Sequence, residues 1–205
     1  MSDEEQPQIY LILPPTIEVA TFPDLLGRVL DAEAVACLRL DLSSRDEDRI
    51  ARAADACREV AHARDVAIVI NDHVALAERL GLDGVHLSDA GRSVRGARKT
   101  LGADAIVGSF CGASRHDGMS AGEAGADYVS FGPMAGALGD GTLAEAELFA
   151  WWSEIIEVPV VAEGGITLEV ASKLKTITDF IALGDEIWEH DDPSARLSAF
   201  VADLG

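Results

Sequence analysis

The sequence is short of cations. Lys and Arg number 16 against 36 Asp and Glu, a formal net charge of −20, and lysine occurs only at Lys99, Lys173 and Lys175. A chain this negative repels polyanions, which argues against nucleic acid or an anionic membrane surface as a partner. Cysteine is sparse too: Cys37, Cys57 and Cys111 are an odd number with no C-x-x-C spacing, so neither a disulfide framework nor a zinc knuckle is indicated. The five histidines form no H-E-x-x-H or other metal spacing. No apolar run reaches the ~18 residues a membrane helix needs, and Met1-Ser2-Asp3-Glu4-Glu5 lacks the basic start of a signal peptide. A cytoplasmic protein is expected. No G-x-G-x-x-G follows the first apolar run; Pro14-Pro15 stands there instead, against a doubly wound dinucleotide-binding sheet.

What is present is an alternation. The 205 residues are 48% hydrophobic, within globular proportions. Short apolar runs read as strands at Ile9–Leu13, Cys37–Leu42, Val66–Asn71, Gly84–Leu87, Ile106–Phe110, Tyr128–Phe131, Val160–Ala162 and Phe180–Leu183. They are rich in Val, Ile, Leu and aromatics without sustained polar alternation, as parallel strands covered on both faces are. Amphipathic segments lie between them. Arg49 to Arg64 is the clearest, with Ile50, Ala53, Ala54, Cys57, Val60 and Ala61 at helical spacing. Thr21 or Asp24, Thr142, Thr167 and Asp192 are candidate N-caps; Gly81, Gly102 and Gly125 are candidate C-caps. Eight strand–helix units in one chain predict an α/β protein, a single (β/α)₈ TIM barrel over residues 8–205 behind an acidic tail over 1–7.

Barrel chemistry belongs at the C-terminal ends of strands. There the sequence offers Arg39 with Asp41, Asn71-Asp72, His86 with Ser88 and Asp89, Glu163-Gly164-Gly165, and Gly184-Asp185-Glu186. Asn71-Asp72 closes an otherwise apolar strand; such a pair either orients a polar ligand or holds Mg²⁺ through oxygen, or makes an Asx turn. Gly164 and Gly165 before Thr167 give either an anion site of backbone amides or a tight turn. Arg39 sits in so apolar a strand that it must have a partner, and Asp41, two residues on with the same side-chain direction, is the local choice.

Ile70-Asn71-Asp72, Asp83-Gly84-Val85-His86-Leu87, Gly125-Ala126-Asp127-Tyr128-Val129 leading to Phe131-Gly132-Pro133, and Ala162-Glu163-Gly164-Gly165-Ile166 occur in that order. As an ordered set they resemble the thiamine phosphate synthases and their relatives the thiazole tautomerases, over about Tyr10 to Ile187. The resemblance implies that an aminopyrimidine methyl diphosphate ionises with Mg²⁺ help and that a thiazole phosphate captures the cation. Arg39 and Asn71 would then serve catalysis and bind the diphosphate. Asp72 would ligate Mg²⁺, with Asp89 in place of a shifted second carboxylate. Gly164, Gly165 and Gly184 would hold the thiazole phosphate. The implied partners are these two small molecules, with a homodimer left open.

The chain also departs from the family. Asp41 stands where the family has a lysine, Ser88-Asp89-Ala90-Gly91 replaces a glycine-glutamine-x-aspartate, and Ala137-Leu138-Gly139-Asp140 replaces a threonine-x-threonine-lysine loop. Asp185 replaces a small hydroxyl residue at the final phosphate site. A carboxylate there repels a phosphate by ~1–4 kcal/mol at 4 Å, depending on the effective dielectric. Arg115 and His116, in an expected glycine-rich loop over Cys111–Gly118 placed to fold over the mouth, are candidates to supply a missing cation and, as in the tautomerases, an acid/base. Three readings follow: a thiamine phosphate synthase with a rearranged site, a tautomerase-like enzyme using His116, and a barrel that keeps a precursor pocket without catalysis.

Overall fold

The computed structural model describes residues 6–136 and 141–205. Eight parallel strands close into a barrel in chain order: β1 (Gln8–Ile12), β2 (Cys37–Leu40), β3 (Ala67–Asn71), β4 (Gly84–Leu87), β5 (Ile106–Phe110), β6 (Tyr128–Phe131), β7 (Val160–Ala162) and β8 (Phe180–Leu183). The expected (β/α)₈ barrel is the fold. Five strands match their expected limits; β1 is shifted by one residue at both ends, β2 ends two residues early and β3 starts one residue late. Of the tail expected over 1–7, Met1–Glu5 lies outside the described residues, as does the substituted loop Ala137–Asp140.

The helices among the described residues are α1 (Phe22–Ala32), α2 (Glu47–His62), α3 (Val74–Leu80), α4 (Val94–Leu101), α5 (Arg115–Ala124), α6 (Ala146–Ile155), α7 (Leu168–Leu174), α8 (Asp185–Trp188) and α9 (Pro193–Leu204). α2 begins two residues before its apolar periodicity because the Asp46 carboxylate accepts from the amides of Asp48 and Arg49. Thr167 and Asp192 cap as expected, accepting from Val170 and Ala195. Thr21 occupies the N-cap position of α1 without a side-chain bond. The start of α6 moves from the expected Thr142 to Glu145, since the Ala144 amide is drawn back to the Pro133 carbonyl. Gly81, Gly102 and Gly125 end their helices at positive φ. No helix among the described residues is long and apolar enough to cross a membrane.

Strand side chains alternate between two cores. Outward residues such as Leu11, Leu38, Ile68, Val107 and Leu183 pack under the helices with Leu26, Cys57, Phe149, Trp152 and Phe200. Inward residues Tyr10, Cys37, Val69, Tyr128, Val161 and Ala182 fill the barrel. One glycine makes this possible: a Cβ on Gly108 would lie 2.0 Å from the Tyr128 ring. Tyr128 therefore reaches across the barrel only because its neighbour on β5 has no side chain.

Candidate active site

Above the two tyrosines, the barrel interior is polar. The Arg39 guanidinium, 4% exposed, makes a bidentate pair with Glu163, donating from Nη1 to Oε1 at 3.1 Å and from Nη2 to Oε2 at 2.6 Å. Nη1 also donates to His86 Nε2 at 2.9 Å. An arginine can only donate, so His86 must carry its proton on Nδ1 and offer it to the Tyr128 hydroxyl 2.8 Å away. Tyr128 in turn meets Tyr10 at 2.7 Å. Ser130 donates to Glu163 from the far side. The result is a continuous hydrogen-bonded chain from the mouth to the middle of the barrel.

The charges in this chain are set by burial and by each other. Burial and then the Arg39 guanidinium push His86 down to about 3, so the imidazole is neutral. Burial alone would raise the Glu163 carboxyl, but Arg39 outweighs it and holds it down to about 2. For Arg39, burial disfavours the charge, and Glu163 more than restores it, leaving its pKa raised. The sequence-based expectation that Arg39 pairs with Asp41 is corrected. β2 ends at Leu40, so Asp41 is exposed beyond the strand, while Glu163, at the end of β7, meets Arg39 across the interior. Spacing along one strand cannot reveal a partner contributed by another.

A cavity of about 280 Å³ opens above this pair. It gathers four of the expected site residues, Arg39, Gly164, Gly165 and Gly184, with Asp41, Glu163, Asp185 and Glu186. Gly164 and Gly165 both have positive φ, and a Cβ on Gly165 would come within 2.7 Å of the Ala135 carbonyl. The glycine pair is thus a tight turn that brings backbone to the mouth. Two amides at this end are engaged by one carboxylate: Glu186 Oε1 accepts from Ile166 N and Oε2 from Gly184 N, both at 2.9 Å. A larger cavity of about 380 Å³ lies between the loops after β1 and β2 and contains none of the expected site residues.

The opposite wall is formed by β3 and β4. Asn71 has the inward direction of Val69, and its side-chain Oδ1 is buried with no partner. Among the described residues only two other buried side-chain polar atoms are in that condition, Arg39 Nε and Arg58 Nε. Asp72 follows with φ 54, and its two oxygens accept from Ser88 N at 2.9 Å and Ser88 Oγ at 2.6 Å. Asp89 is turned toward its own loop, accepting from the amide and hydroxyl of Ser93. Arg115 and His116 are exposed on the first turn of α5, which starts earlier than expected because the Ser114 hydroxyl accepts from Asp117 N. Arg115 lies over the Trp151 ring of α6, 4.6 Å from its centre, rather than over the mouth. The roles of Glu163, Glu186, Tyr10 and Tyr128 went unread in the sequence. An acidic residue preceding Gly164-Gly165 was the available signal for Glu163.

Comparison with known proteins agrees with the fold. Residues 9–187 match the thiamine monophosphate synthase family. The chain is 44% identical over 197 residues to the thiamine-phosphate synthase of Rhodospirillum centenum, covering 94% of this chain and 95% of that protein. It is 40% identical to the corresponding protein of Erythrobacter litoralis, covering 95% of each. The solved structure of thiamine phosphate pyrophosphorylase from Pyrococcus furiosus superposes with a TM-score of 0.82 at 22% identity, over 98% of this chain and 96% of that one. The chain belongs to the thiamine monophosphate synthase family.

Proposed function

We propose that the protein couples an aminopyrimidine methyl diphosphate to a thiazole, supplied as its phosphate in the reaction that gives the family its name. The methyl carbon–oxygen bond breaks, diphosphate departs, and the thiazole nitrogen forms the new carbon–nitrogen bond. The observation that carries the reading is the pair of unpartnered buried atoms at the mouth, Asn71 Oδ1 and Arg39 Nε. Buried polar atoms ordinarily have partners, so these two point to a polar ligand. The carboxylates at the mouth suit the electronics as well. A carbocation and then a thiazolium would be favoured by the negative charge of Asp41 and Asp185, which line the cavity.

Mg²⁺ fits this site in a form completed by substrate. Among the described residues no group of three or more His, Cys, Asp or Glu side chains could hold a metal ion. Mg²⁺ nevertheless commonly uses one or two carboxylates and takes its remaining ligands from phosphates and water. Asp72, oriented by Ser88, would be the protein ligand, and Asp89, committed to Ser93, would stay outside. Bound there, the ion would offset the charge of the departing diphosphate. Three buried free thiols, Cys37, Cys57 and Cys111, support a reducing, cytoplasmic setting.

The test is formation of thiamine phosphate by the purified protein with both substrates and Mg²⁺, expected to be abolished by a chelator. A second reading, a barrel that binds a precursor without coupling it, is favoured by the engagement of both Arg39 Nη atoms with Glu163. Calorimetric titration with the pyrimidine diphosphate separates the two. Metal-dependent binding with turnover supports coupling, and binding without turnover supports the second reading. No binding with or without Mg²⁺ would remove both.

A further inference from the structure

The larger cavity, of about 380 Å³ between the loops that follow β1 and β2, shares no lining residue with the mouth. Its walls are held together by the chain itself. The Ser43 amide and hydroxyl both donate to the Pro15 carbonyl, at 2.9 and 3.1 Å, which stitches the two loops to each other. A preformed concavity of this size is typical of a small-molecule site. Ile17 and Leu42, half-buried against the outer core, give it an apolar side. The helix α2 contributes Arg49 and Arg52, three residues apart and so on one helix face.

Among the described residues neither of these arginines is paired with a carboxylate, in a chain that carries 36 Asp and Glu for 16 Lys and Arg. The ion pairs of α2 run elsewhere, from Arg58 to Asp55 and from Glu47 to Arg79. Arg52 has Asp48 and Asp55 at helical pairing distance along the chain and takes neither. Elsewhere in this molecule one guanidinium satisfies one carboxylate bidentately, as Arg39 does Glu163 and Arg64 does Asp31. Two guanidiniums on one cavity therefore suit a group with two charges and more than two acceptor oxygens, a phosphate ester. Ser44 Oγ accepts from Asp46 N at 3.1 Å and keeps its own proton to give. Glu18 is the one carboxylate in the lining; it accepts from Ala20 N at 3.4 Å and is outnumbered by the two arginines. We propose that this cavity binds a small organic phosphate, its phosphate held by Arg49 and Arg52 and its apolar body lying against Ile17 and Leu42. The site needs nothing from the coupling reading above.

The experiment is a titration of ¹⁵N-labelled protein with phenyl phosphate at constant ionic strength, following the Ile17 and Ser44 amide resonances. They should move saturably. Inorganic phosphate, which lacks the ring, should bind at least about tenfold more weakly. Benzoate, which keeps the ring but carries one charge, should be weaker by a similar factor, about tenfold. Arg49→Gln combined with Arg52→Gln should weaken phenyl phosphate at least about tenfold through the loss of charge-assisted contacts. Both arginines are exposed on α2, and the comparison of the three probes on the unaltered protein decides the matter even should that variant fail to fold. Absence of a saturable shift at Ile17 and Ser44 overturns the proposal. So does equal affinity for all three probes, or undiminished phenyl phosphate binding in the double variant. Shifts confined to Gly165 and Gly184 would place the phosphate at the mouth and overturn it as well. No coupling assay enters, so failure of the coupling reading leaves this result standing.

Discussion

The two walls of the barrel mouth treat their polar groups in opposite ways. On the β7–β8 side the chain supplies most of its own partners: Glu163 takes both Nη atoms of Arg39, leaving only its Nε bare, and Glu186 takes the amides of Ile166 and Gly184. On the β3–β4 side it stops short. Asn71 Oδ1 is buried and unpartnered, and Asp72 is oriented by a single residue, Ser88. Both walls come from the same kind of strand end, so the fold alone does not decide which is open. What differs is whether a neighbouring loop carries a carboxylate long enough to reach back. Self-satisfied polar groups stabilise a fold, and unsatisfied ones are held for a ligand at a cost in stability.

The sharpest way to break this comparison is Glu163→Ala. It strands the Arg39 guanidinium in the interior, which should cost ~3–5 kcal/mol in urea unfolding. Arg39→Met combined with Glu163→Leu should recover most of that loss, because the desolvation penalty leaves together with the attraction. A single substitution costing under ~1 kcal/mol would mean that water or a ligand replaces the carboxylate, and the β7 wall would not be self-contained.

Asn71→Ala should do the reverse. Removing an unpartnered buried oxygen should leave thermal stability unchanged or slightly raised. Turnover should fall about 100-fold, ~3 kcal/mol of transition-state stabilisation, in the thiamine phosphate assay. A variant that loses stability and keeps activity would place Asn71 on the structural side of the comparison.

Next in size is the acid response of the interior chain. The folded protein refuses His86 a proton because burial and Arg39 push it down to about 3, whereas an unfolded histidine takes one near 6.5. Stability should therefore fall as pH drops below about 6.5 and keep falling toward about 3. Between pH 7 and pH 5 this residue alone should remove about 2 kcal/mol. Glu163, held down to about 2 from its ordinary 4.5, adds a loss in the same direction below pH 4.5. Comparing unfolding of the unaltered protein with His86→Gln at each pH isolates the histidine, since glutamine can still accept from Arg39 and donate to Tyr128. Parallel curves for the two proteins would show that His86 is not kept neutral by folding.

The sequence-to-structure outcome follows the same division. Strand positions were legible because burial on both faces leaves unbroken apolar runs such as Val160–Ala162 and Phe180–Leu183. Arg39's need for a partner was legible as well, since an arginine between leucines is costly alone. The identity of that partner was not. Glu163 is 124 residues away, and only barrel closure brings it within 3.1 Å. Asp185 was read as a repulsive carboxylate at this end, but the neighbouring Glu186 is the one that accepts from two amides, a role that depends on loop geometry that no periodicity encodes. Asn71 and Asp72 were readable because a polar pair ending an apolar strand breaks its own pattern. Arg115 looked available until the Ser114 cap started α5 early and laid its guanidinium on Trp151.

The smallest predicted effect tests whether the open wall is as open as it looks. Ser88 Oγ donates to Asp72 Oδ2 at 2.6 Å, and two roles are consistent with that contact. As an orienting donor it would set the carboxylate for Mg²⁺; as a rival it would occupy the carboxylate as Glu186 occupies its amides. Ser88→Ala distinguishes them by sign. Loss of an orienting partner should raise the Mg²⁺ concentration giving half-maximal activity about tenfold, the low end for a ligand's supporting hydrogen bond. The Ser88 amide still donates to Oδ1, so the loop should keep its place and stability should change by less than ~1 kcal/mol. A lower Mg²⁺ requirement would instead mean that the hydroxyl competes with the ion, and both walls of the mouth would then be filled by the chain itself.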